Sequence, residues 1–288
     1  MTLIGVLVAI AFERLLGQFP GWGEPVALRW LLARAQTLLP LPAFWRAGPA
    51  LLLWLLPPVL LVYGLGGLMA NPLARLAFAA AVLLLCLGPR DLADDVSRLL
   101  EAREAGDEAR AAHLAGVLMR GPQPESSQHS LLGALFIQSH ERLFGVLLWF
   151  FALGPAGAVL YRQASRLPRL LRESLGDCAA VRWAEQLHAA LAFIPARLTA
   201  LLFGLAGSLD DTLKVWRELT QSSMGWRAQT WAVLAEASAA SVNLRGPDGS
   251  TSVPATLAAC LREVLSMQWR ALLILLAVFA LTTTGTLL

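Results

Sequence analysis

The feature that most limits how this chain can fold is a stretch of 21 consecutive residues, 49–69, without a charged side chain. A helix that crosses a bilayer needs about 20 mostly apolar residues, whereas a helix at the surface of a soluble protein keeps a polar face. A second apolar run at residues 75–87 follows the turn-forming pair Asn71-Pro72. We therefore predict a membrane hairpin here and a further span at residues 269–288.

The composition extends this prediction to the whole chain. Only 15% of the 288 residues are charged and 57% are hydrophobic, whereas about 25% of residues are charged in soluble domains. The three cysteines are far apart and odd in number, which argues against a disulfide framework. We expect a multi-pass protein of the bacterial inner membrane, in contact with the lipid bilayer. Its apolar N-terminus is expected to be a retained helix at residues 3–16, because no cleavage site follows it.

Residues 17–47 combine tryptophan with arginine, which is typical of a helix lying in the membrane interface. An ordinary amphipathic connecting helix is the alternative. Two later apolar segments, residues 143–161 and 189–206, fit a span less well, since Gly154-Pro155 interrupts the first. Arginine-rich regions flank that segment on both sides, although basic residues favour the cytoplasmic side. We therefore predict that these two segments pack within the protein.

The predicted fold class is all-α: a polytopic integral membrane protein with kinked or broken helices and a helical cytoplasmic-side middle region. Proline removes a helical hydrogen bond, so Pro57-Pro58 is expected to kink the first hairpin helix. Charges alternate in sign between residues 90 and 125, where Gly106-Asp107 predicts the end of one amphipathic helix and the N-cap of the next. The predicted domains are 1–88 (membrane helices with the interfacial linker and hairpin), 89–267 (a helical region with two uncertain membrane segments) and 268–288 (the terminal span).

The sequence contains no nucleotide-binding, zinc-protease or serine-hydrolase motif in a usable context. No basic run alternates with aromatic residues, so a nucleic-acid partner is not expected. Arg90-Asp91 directly follows a predicted membrane helix, where an arginine and a carboxylate can hold a phosphate or pair with each other. The alternative is a solvated helix start, with Asp91 near the positive end of the helix dipole.

The four histidines show no ligand spacing, so we predict no metal site and expect each histidine at a surface or interface. They are His113, His129, His140 and His188. His140 precedes Glu141 and Arg142 at the entry of an apolar helix. A buried Glu141 paired with Arg142 or Arg197 is one interpretation, and an interfacial belt of charges is the other.

Several short motifs, in order along the chain, resemble those of the superfamily that contains AmpE and the CobD/CbiB proteins. They are Glu13-Arg14-Leu15, Arg90-Asp91-Leu92 with a downstream Gly106-Asp107, Gly154-Pro155 with Tyr161-Arg162, and Ile194-Pro195-Ala196-Arg197-Leu198-Thr199. The resemblance runs in family order from the first helix to about residue 210. It implies a helical membrane protein.

The superfamily has two branches. The CobD/CbiB branch attaches an aminopropanol-type group to the corrin ring in cobalamin synthesis, by an amide ligation that needs ATP. Its "ES-x-x-EN" run has become QSHER here, at residues 138–142, and its "N-T-D" run has become SRLP at residues 165–168. Magnesium-nucleotide sites need carboxylate or amide oxygens, so these departures favour the AmpE branch and argue against enzymatic activity.

The resemblance to AmpE implies an inner-membrane signalling or regulatory protein, linked to muropeptide status in the cell wall and to β-lactamase induction. It implies no established cofactor, and ATP is implied only through the enzyme branch. We expect a small anion, a nucleotide or a cell-wall-derived molecule as ligand, or a protein partner. The alternative function is that of an adenosylcobinamide-phosphate synthase. The candidate ligand-binding residues are Arg90, Asp91, Glu141, Arg142, Tyr161, Arg162 and Arg197.

Overall fold

The computed structural model describes residues 5–6, 9, 34, 42–87, 92–119, 121–122, 131–242 and 256–285, and within these ranges it contains helices and no strand. The helices are α1 (Pro42–Trp45), α2 (Ala50–Leu68), α3 (Pro72–Leu87), α4 (Leu92–Glu104), α5 (Glu108–Leu118), α6 (Leu131–Ser139), α7 (Gly145–Leu175), α8 (Ala179–Ala206), α9 (Leu209–Gln221), α10 (Trp226–Ala232), α11 (Ser238–Ala240) and α12 (Leu257–Gly285). Two π-helical turns, π1 (His140–Phe144) and π2 (Val233–Ala237), join neighbouring helices. The predicted all-α fold is confirmed.

Five helical stretches in the described part of the chain are long and apolar enough to cross a membrane. They are Ala50–Leu68, Pro72–Glu104 (which includes residues 88–91, outside the described ranges), Leu131–Leu175, Ala179–Ala206 and Leu257–Thr282. Exposed leucines along α2, such as Leu60 and Leu61, provide the apolar surface that lipid contact requires. The chain is a multi-pass membrane protein. The packing of segments 143–161 and 189–206 without crossing, and the side on which the middle region lies, stay predictions.

α2 and α3 form the predicted hairpin. Asn71 stabilises its turn, because the Asn71 Oδ1 atom accepts a hydrogen bond from the Leu73 N–H at 2.8 Å. Pro57 and Pro58 lie inside α2 and do not end it. The hairpin belongs to a unit in which both of its helices pack against α7.

The charged region after the hairpin forms two short amphipathic helices, as predicted. The buried residues at helical spacing on α4 include Leu92, Val96, Leu99 and Leu100. Asp107 is the N-cap of α5, since its Oδ1 atom accepts a hydrogen bond from the Arg110 N–H at 2.9 Å. This bond satisfies one of the N–H groups that a helix start leaves without a partner.

A glycine interrupts α7, and a proline lies inside α8. Gly154 has φ 68° and ψ −156° inside α7, a conformation that glycine adopts without the steric cost of a Cβ, so the predicted interruption at Gly154-Pro155 is confirmed. In α8, Pro195 has no N–H to donate to the carbonyl four residues earlier. The Trp149 Nε1–H donates instead to that carbonyl, Leu191 O, at 3.0 Å.

The chain forms two compact units. The first comprises Met1–Pro89 and Glu141–Ala192, and the second comprises Arg90–His140 and Phe193–Leu288. The core of the first unit contains side chains from α1, α2, α7 and α8. In the second unit, π2 packs against α6, α9 and α10. The predicted boundaries 1–88, 89–267 and 268–288 stay a prediction.

Little of the N-terminal prediction can be compared with the structure. The predicted helix at residues 3–16 and the interfacial linker at 17–47 lie outside the described residues, apart from residues 5–6, 9, 34 and 42–47. Trp45, at the end of this linker, is only 3% exposed. Its ring lies 4.7 Å from the ring of Trp54, between centroids, so this tryptophan belongs to the core of the first unit.

Candidate functional site

The candidate site is built around π1, which joins α6 to α7. In a π turn each N–H bonds one residue further back than in an α-helix, so the turn carries an extra residue and shifts the direction of the side chains that follow. Such single turns inside α-helices occur frequently at functional sites. Here the turn contains the sequence HERLF, so Glu141 and Arg142 lie in the turn directly before α7.

Glu141 accepts two hydrogen bonds within the first unit. The Tyr161 hydroxyl donates to the Glu141 Oε1 atom at 2.8 Å, and the His188 Nε2 atom lies 3.0 Å from the same oxygen. A carboxylate oxygen only accepts, so His188 presents an N–H at Nε2. We call these three side chains the Glu141 network.

The Glu141 network is shielded from the surroundings of the protein. Tyr161 is fully buried, and the side chains of His188 and Glu141 are 5% and 13% exposed. Hydrogen bonds to an ionised group are about twice as strong as neutral ones. A carboxylate that fixes one imidazole nitrogen is an arrangement suited to proton transfer, because it sets the tautomer and stabilises the protonated ring.

Gly145 allows the tyrosine to reach this position. It is the first residue of α7 after π1, and an added Cβ atom would overlap the Tyr161 ring. Any side chain at residue 145 must therefore displace the ring that carries the hydroxyl bonded to Glu141.

Arg162 links the network to the end of α3. Its Nη1 atom donates to the main-chain oxygen of Glu141 at 3.0 Å, and its Nη2 atom donates to the main-chain oxygen of Leu87 at 3.2 Å. The second bond satisfies a carbonyl in the last turn of α3, where the carbonyl groups have no N–H donor within the helix. Cys86, one residue earlier, is buried and within electrostatic range of Arg162 and Arg166.

A separate polar cluster lies in the second unit. The Thr199 hydroxyl donates to the main-chain oxygen of Pro195 at 2.8 Å, so its oxygen accepts from the His140 Nδ1–H, 2.9 Å away. Both side chains are completely buried. Ser139 donates to the Gln268 Oε1 atom at 2.9 Å, so α6 and α12 are joined in this unit by a polar contact.

A family model described as "CobD/Cbib protein" matches residues 6–256. The chain belongs to the CobD/CbiB family. It is similar to "Cobalamin biosynthesis protein CobD" of Chromobacterium violaceum, with 29% identity over 259 residues, 83% of this chain and 80% of that protein. It is also similar to the protein of the same name from Stutzerimonas stutzeri, with 27% identity over 203 residues, 68% of this chain but only 59% of that protein. No solved structure matches.

The assignment to the AmpE branch is therefore wrong, because the match is to the CobD/CbiB family and nothing found points to AmpE. The predicted role as a regulator of β-lactamase induction is wrong for the same reason. The error came from interpreting the departures at residues 138–142 and 165–168 as a loss of the enzyme branch's chemistry. Glu141 lies within the first of these runs and still takes part in the buried network.

The structure brings three of the predicted site residues of this CobD/CbiB member together: Glu141, Tyr161 and Arg162. Arg142 lies on the same π turn and is half-buried. Arg197 makes its contacts within the second unit, where it donates to the main-chain oxygen of Phe193 at 2.9 Å and lies 3.6 Å above the Phe193 ring. Arg90 and Asp91 lie outside the described residues. As ligand-binding residues, all seven stay predictions.

The sequence argument missed His188. It was expected at a surface or interface, as was His140, but they are 4% and 0% exposed. A signal for His188 was present in the sequence: it continues a row of small residues four apart, Ala180 and Ala184, and both are buried. Residues four apart lie on one helix face, so this spacing places His188 on the buried face of α8.

Proposed function

We propose that this chain is a membrane enzyme of cobalamin biosynthesis, located in the bacterial inner membrane. It joins an aminopropanol-type amine to a carboxylate of the corrin ring as an amide. Membership of the CobD/CbiB family and the names of both relatives support the pathway. The observation that carries the enzymatic role is the Glu141 network, since a shielded carboxylate bound to a histidine has a clear use in proton transfer.

Amide formation defines what the chain has to supply. A carboxylate reacts with an amine only after it has been activated. ATP, the co-substrate of the enzyme branch, would supply this activation by phosphorylating the carboxylate. The amine nitrogen then attacks the acyl carbon, phosphate leaves, and the nitrogen loses one proton. His188 accepts that proton: its Nε2–H faces Glu141, so Nδ1 is its basic nitrogen, and the carboxylate stabilises the imidazolium that forms.

Tyr161 and Glu141 act in this scheme by positioning. The Tyr161 hydroxyl and His188 both donate hydrogen bonds to the Glu141 Oε1 atom. These bonds hold the carboxylate in the position from which it orients the imidazole. For the magnesium that accompanies ATP, the described residues contain no group of three or more His, Cys, Asp or Glu side chains able to hold a metal ion. The basic side chains at this site fit the phosphates of the nucleotide better than they fit a metal.

The test is complementation of a Chromobacterium violaceum strain that lacks its CobD relative, with cellular cobalamin measured by mass spectrometry. The wild-type chain is expected to restore cobalamin. Glu141→Gln leaves the His188 base without the carboxylate that orients it, and is expected to lower cobalamin synthesis by about two orders of magnitude, the lower range for acid–base catalysis. The matched control is Glu173→Gln, the same change at a carboxylate on α7 that is 45% exposed. Failure of a correctly inserted wild-type chain to restore cobalamin would refute the proposal.

A further inference from the structure

One face of α8 is apolar and exposed within the second unit. Four residues form it, at intervals of four, three and four along the sequence: Ile194, Leu198, Leu201 and Leu205. An apolar repeat of this kind, close to 3.5 residues, is typical of a helix that packs along its length against another helix. Ile194, Leu198 and Leu205 are 65%, 42% and 57% exposed, so the described part of the chain leaves most of this face uncovered. We call these four side chains the α8 seam.

A single charged side chain lies beside the α8 seam. Arg197 directly precedes Leu198, and no other Asp, Glu, Lys or Arg occurs between Glu185 and Asp210. In a heptad with Leu198 at position a and Leu201 at position d, Arg197 has position g. Side chains at this position form ion pairs between helices and so determine which helix is accepted as partner.

Arg197 pairs with no carboxylate among the described residues. Its contacts there are with Phe193 on its own helix: Nη1 donates to the main-chain oxygen at 2.9 Å, and the guanidinium lies 3.6 Å above the ring. A guanidinium carries five N–H donors, so this one hydrogen bond leaves most of them for a partner. The side chain is only half-buried, and a partner that covers the α8 seam can reach it.

Lipid does not satisfy this arginine. α8 is one of the stretches long and apolar enough to cross a membrane, and Arg197 lies about 14 Å from its end at Ala206, at a rise of 1.5 Å per residue. The bond to Phe193, one turn earlier, directs the guanidinium away from that end. A charged side chain in an apolar helix normally pairs with another group or faces water, because it is costly in lipid.

A second copy of the chain does not supply the missing charge either. Contacts between two copies related by a two-fold axis use the same face twice. With antiparallel helices, such a contact brings the two Arg197 side chains together. With parallel helices, position g faces the following position e, which is the uncharged Leu202.

We propose that the α8 seam is the docking surface for a helix of another membrane protein, which carries apolar residues at heptad spacing and a Glu or Asp facing Arg197. The apolar side chains of the two helices pack together, in the geometry that membrane helices share with coiled coils. The carboxylate forms a bidentate pair with the guanidinium. This interaction does not depend on the proposed reaction and can be measured without turnover.

The experiment measures binding of a fluorescent synthetic helix to the full chain in a neutral detergent, by fluorescence anisotropy. The probe is an apolar helix of about 20 residues, with leucine at heptad spacing and one central glutamate. Its matched control has glutamine at the same place. We expect the wild-type chain to bind the glutamate probe at least about tenfold more tightly, the effect of a charge-assisted pair. Equal affinities for the two probes would refute the proposal.

Substitutions in the chain assign this preference to Arg197. Arg197→Gln is expected to bind the two probes equally, and Arg197→Glu should bind a probe with a central arginine more tightly than the glutamate probe. The control is Arg217→Gln, at an exposed arginine on α9 in the same unit, which should keep the full preference. A preference that survives Arg197→Gln would overturn the proposal. If that variant does not fold, the two probes compared on the wild-type chain decide the question.

Other occupants of the α8 seam give different results. If a second copy covers it, the wild-type chain is a dimer by light scattering and Leu198→Ala is a monomer. If the chain's own residues cover it, a maleimide labels Leu273→Cys, at a position 65% exposed on α12, above the level of the wild-type chain, but does not label Leu198→Cys. If lipid alone covers it, the two probes bind equally weakly. Each of these results would contradict docking of another membrane helix.

Discussion

The bond between Tyr161 and Glu141 offers a direct test of whether burial gives the Glu141 network its strength. The chain contains a natural comparison on α7. The Tyr161 hydroxyl lies 2.8 Å from Glu141 Oε1, and the Arg169 Nε atom lies 2.7 Å from Glu173 Oε1. The distances are almost equal, but the tyrosine is fully buried, whereas the side chains of the second pair are 61% and 45% exposed.

The perturbation is a double-mutant cycle for each pair. Tyr161→Phe and Glu141→Met remove the donor and the acceptor of the buried bond with little change in volume. A hydrogen bond to a charged group contributes about 1.5–3 kcal/mol, and we expect a coupling free energy in this range. For the exposed pair, Arg169→Met and Glu173→Met should give a coupling of about 0.3–0.5 kcal/mol, as measured for pairs four residues apart on a helix.

The assay is reversible unfolding in mixed detergent micelles, with the free energy of unfolding measured for wild type, both single variants and the double variant of each cycle. Each cycle reports only the interaction between its two residues, provided that neither single variant creates a new contact. A coupling for Tyr161 and Glu141 below about 0.5 kcal/mol would mean that the two substitutions are additive. That result would refute the view that burial makes this bond a strong part of the site.

Further predictions concern the glycine at the site, the broken helix and the topology. Gly145→Ala is expected to displace the Tyr161 ring and lower cobalamin synthesis. The control Gly116→Ala, where an added Cβ meets nothing within 4 Å, should leave synthesis unchanged. Unchanged synthesis with Gly145→Ala would contradict the close packing of Gly145 against Tyr161. Trp149→Phe leaves the Leu191 carbonyl without its donor and should lower the free energy of unfolding by about 1–3 kcal/mol. The loss should be smaller in a Pro195→Ala background, because alanine restores an N–H that can bond to the same carbonyl. If Trp149→Phe costs the same in both backgrounds, this account of the bond is wrong. Reporter fusions in both arginine-rich regions should give the cytoplasmic signal, and opposite signals would refute the predicted topology.

Much of the fold follows from local patterns that the sequence displays directly. The hairpin turn at Asn71 depends on the residue types at the turn, and the N-cap at Asp107 depends on contacts within three residues. The interruption at Gly154 follows from the chemistry of glycine and proline. Such features can be predicted because the residues that interact to form them are close together in the sequence.

The candidate site depends on contacts that are distant in sequence. The partners of Glu141 lie 20 and 47 residues away, at Tyr161 and His188, and nothing in the local pattern of π1 selects them. The sequence argument left open whether Glu141 is buried and paired with Arg142 or Arg197, or belongs to an interfacial belt of charges, and it named neither Tyr161 nor His188 as a partner. The departures at residues 138–142 favoured the wrong branch because a comparison of residue types along the chain does not show which side chains the fold brings together.

The most direct test of the account is the formation of the amide by the purified protein. The chain in detergent is incubated with ATP, a corrinoid carboxylate and the aminopropanol-type amine, and the corrinoid product is followed by mass spectrometry. The account predicts the amide product with the wild-type chain and with Glu173→Gln, and about a hundredfold lower rate with Glu141→Gln. No amide from the folded wild-type chain, or an undiminished rate with Glu141→Gln, would contradict it.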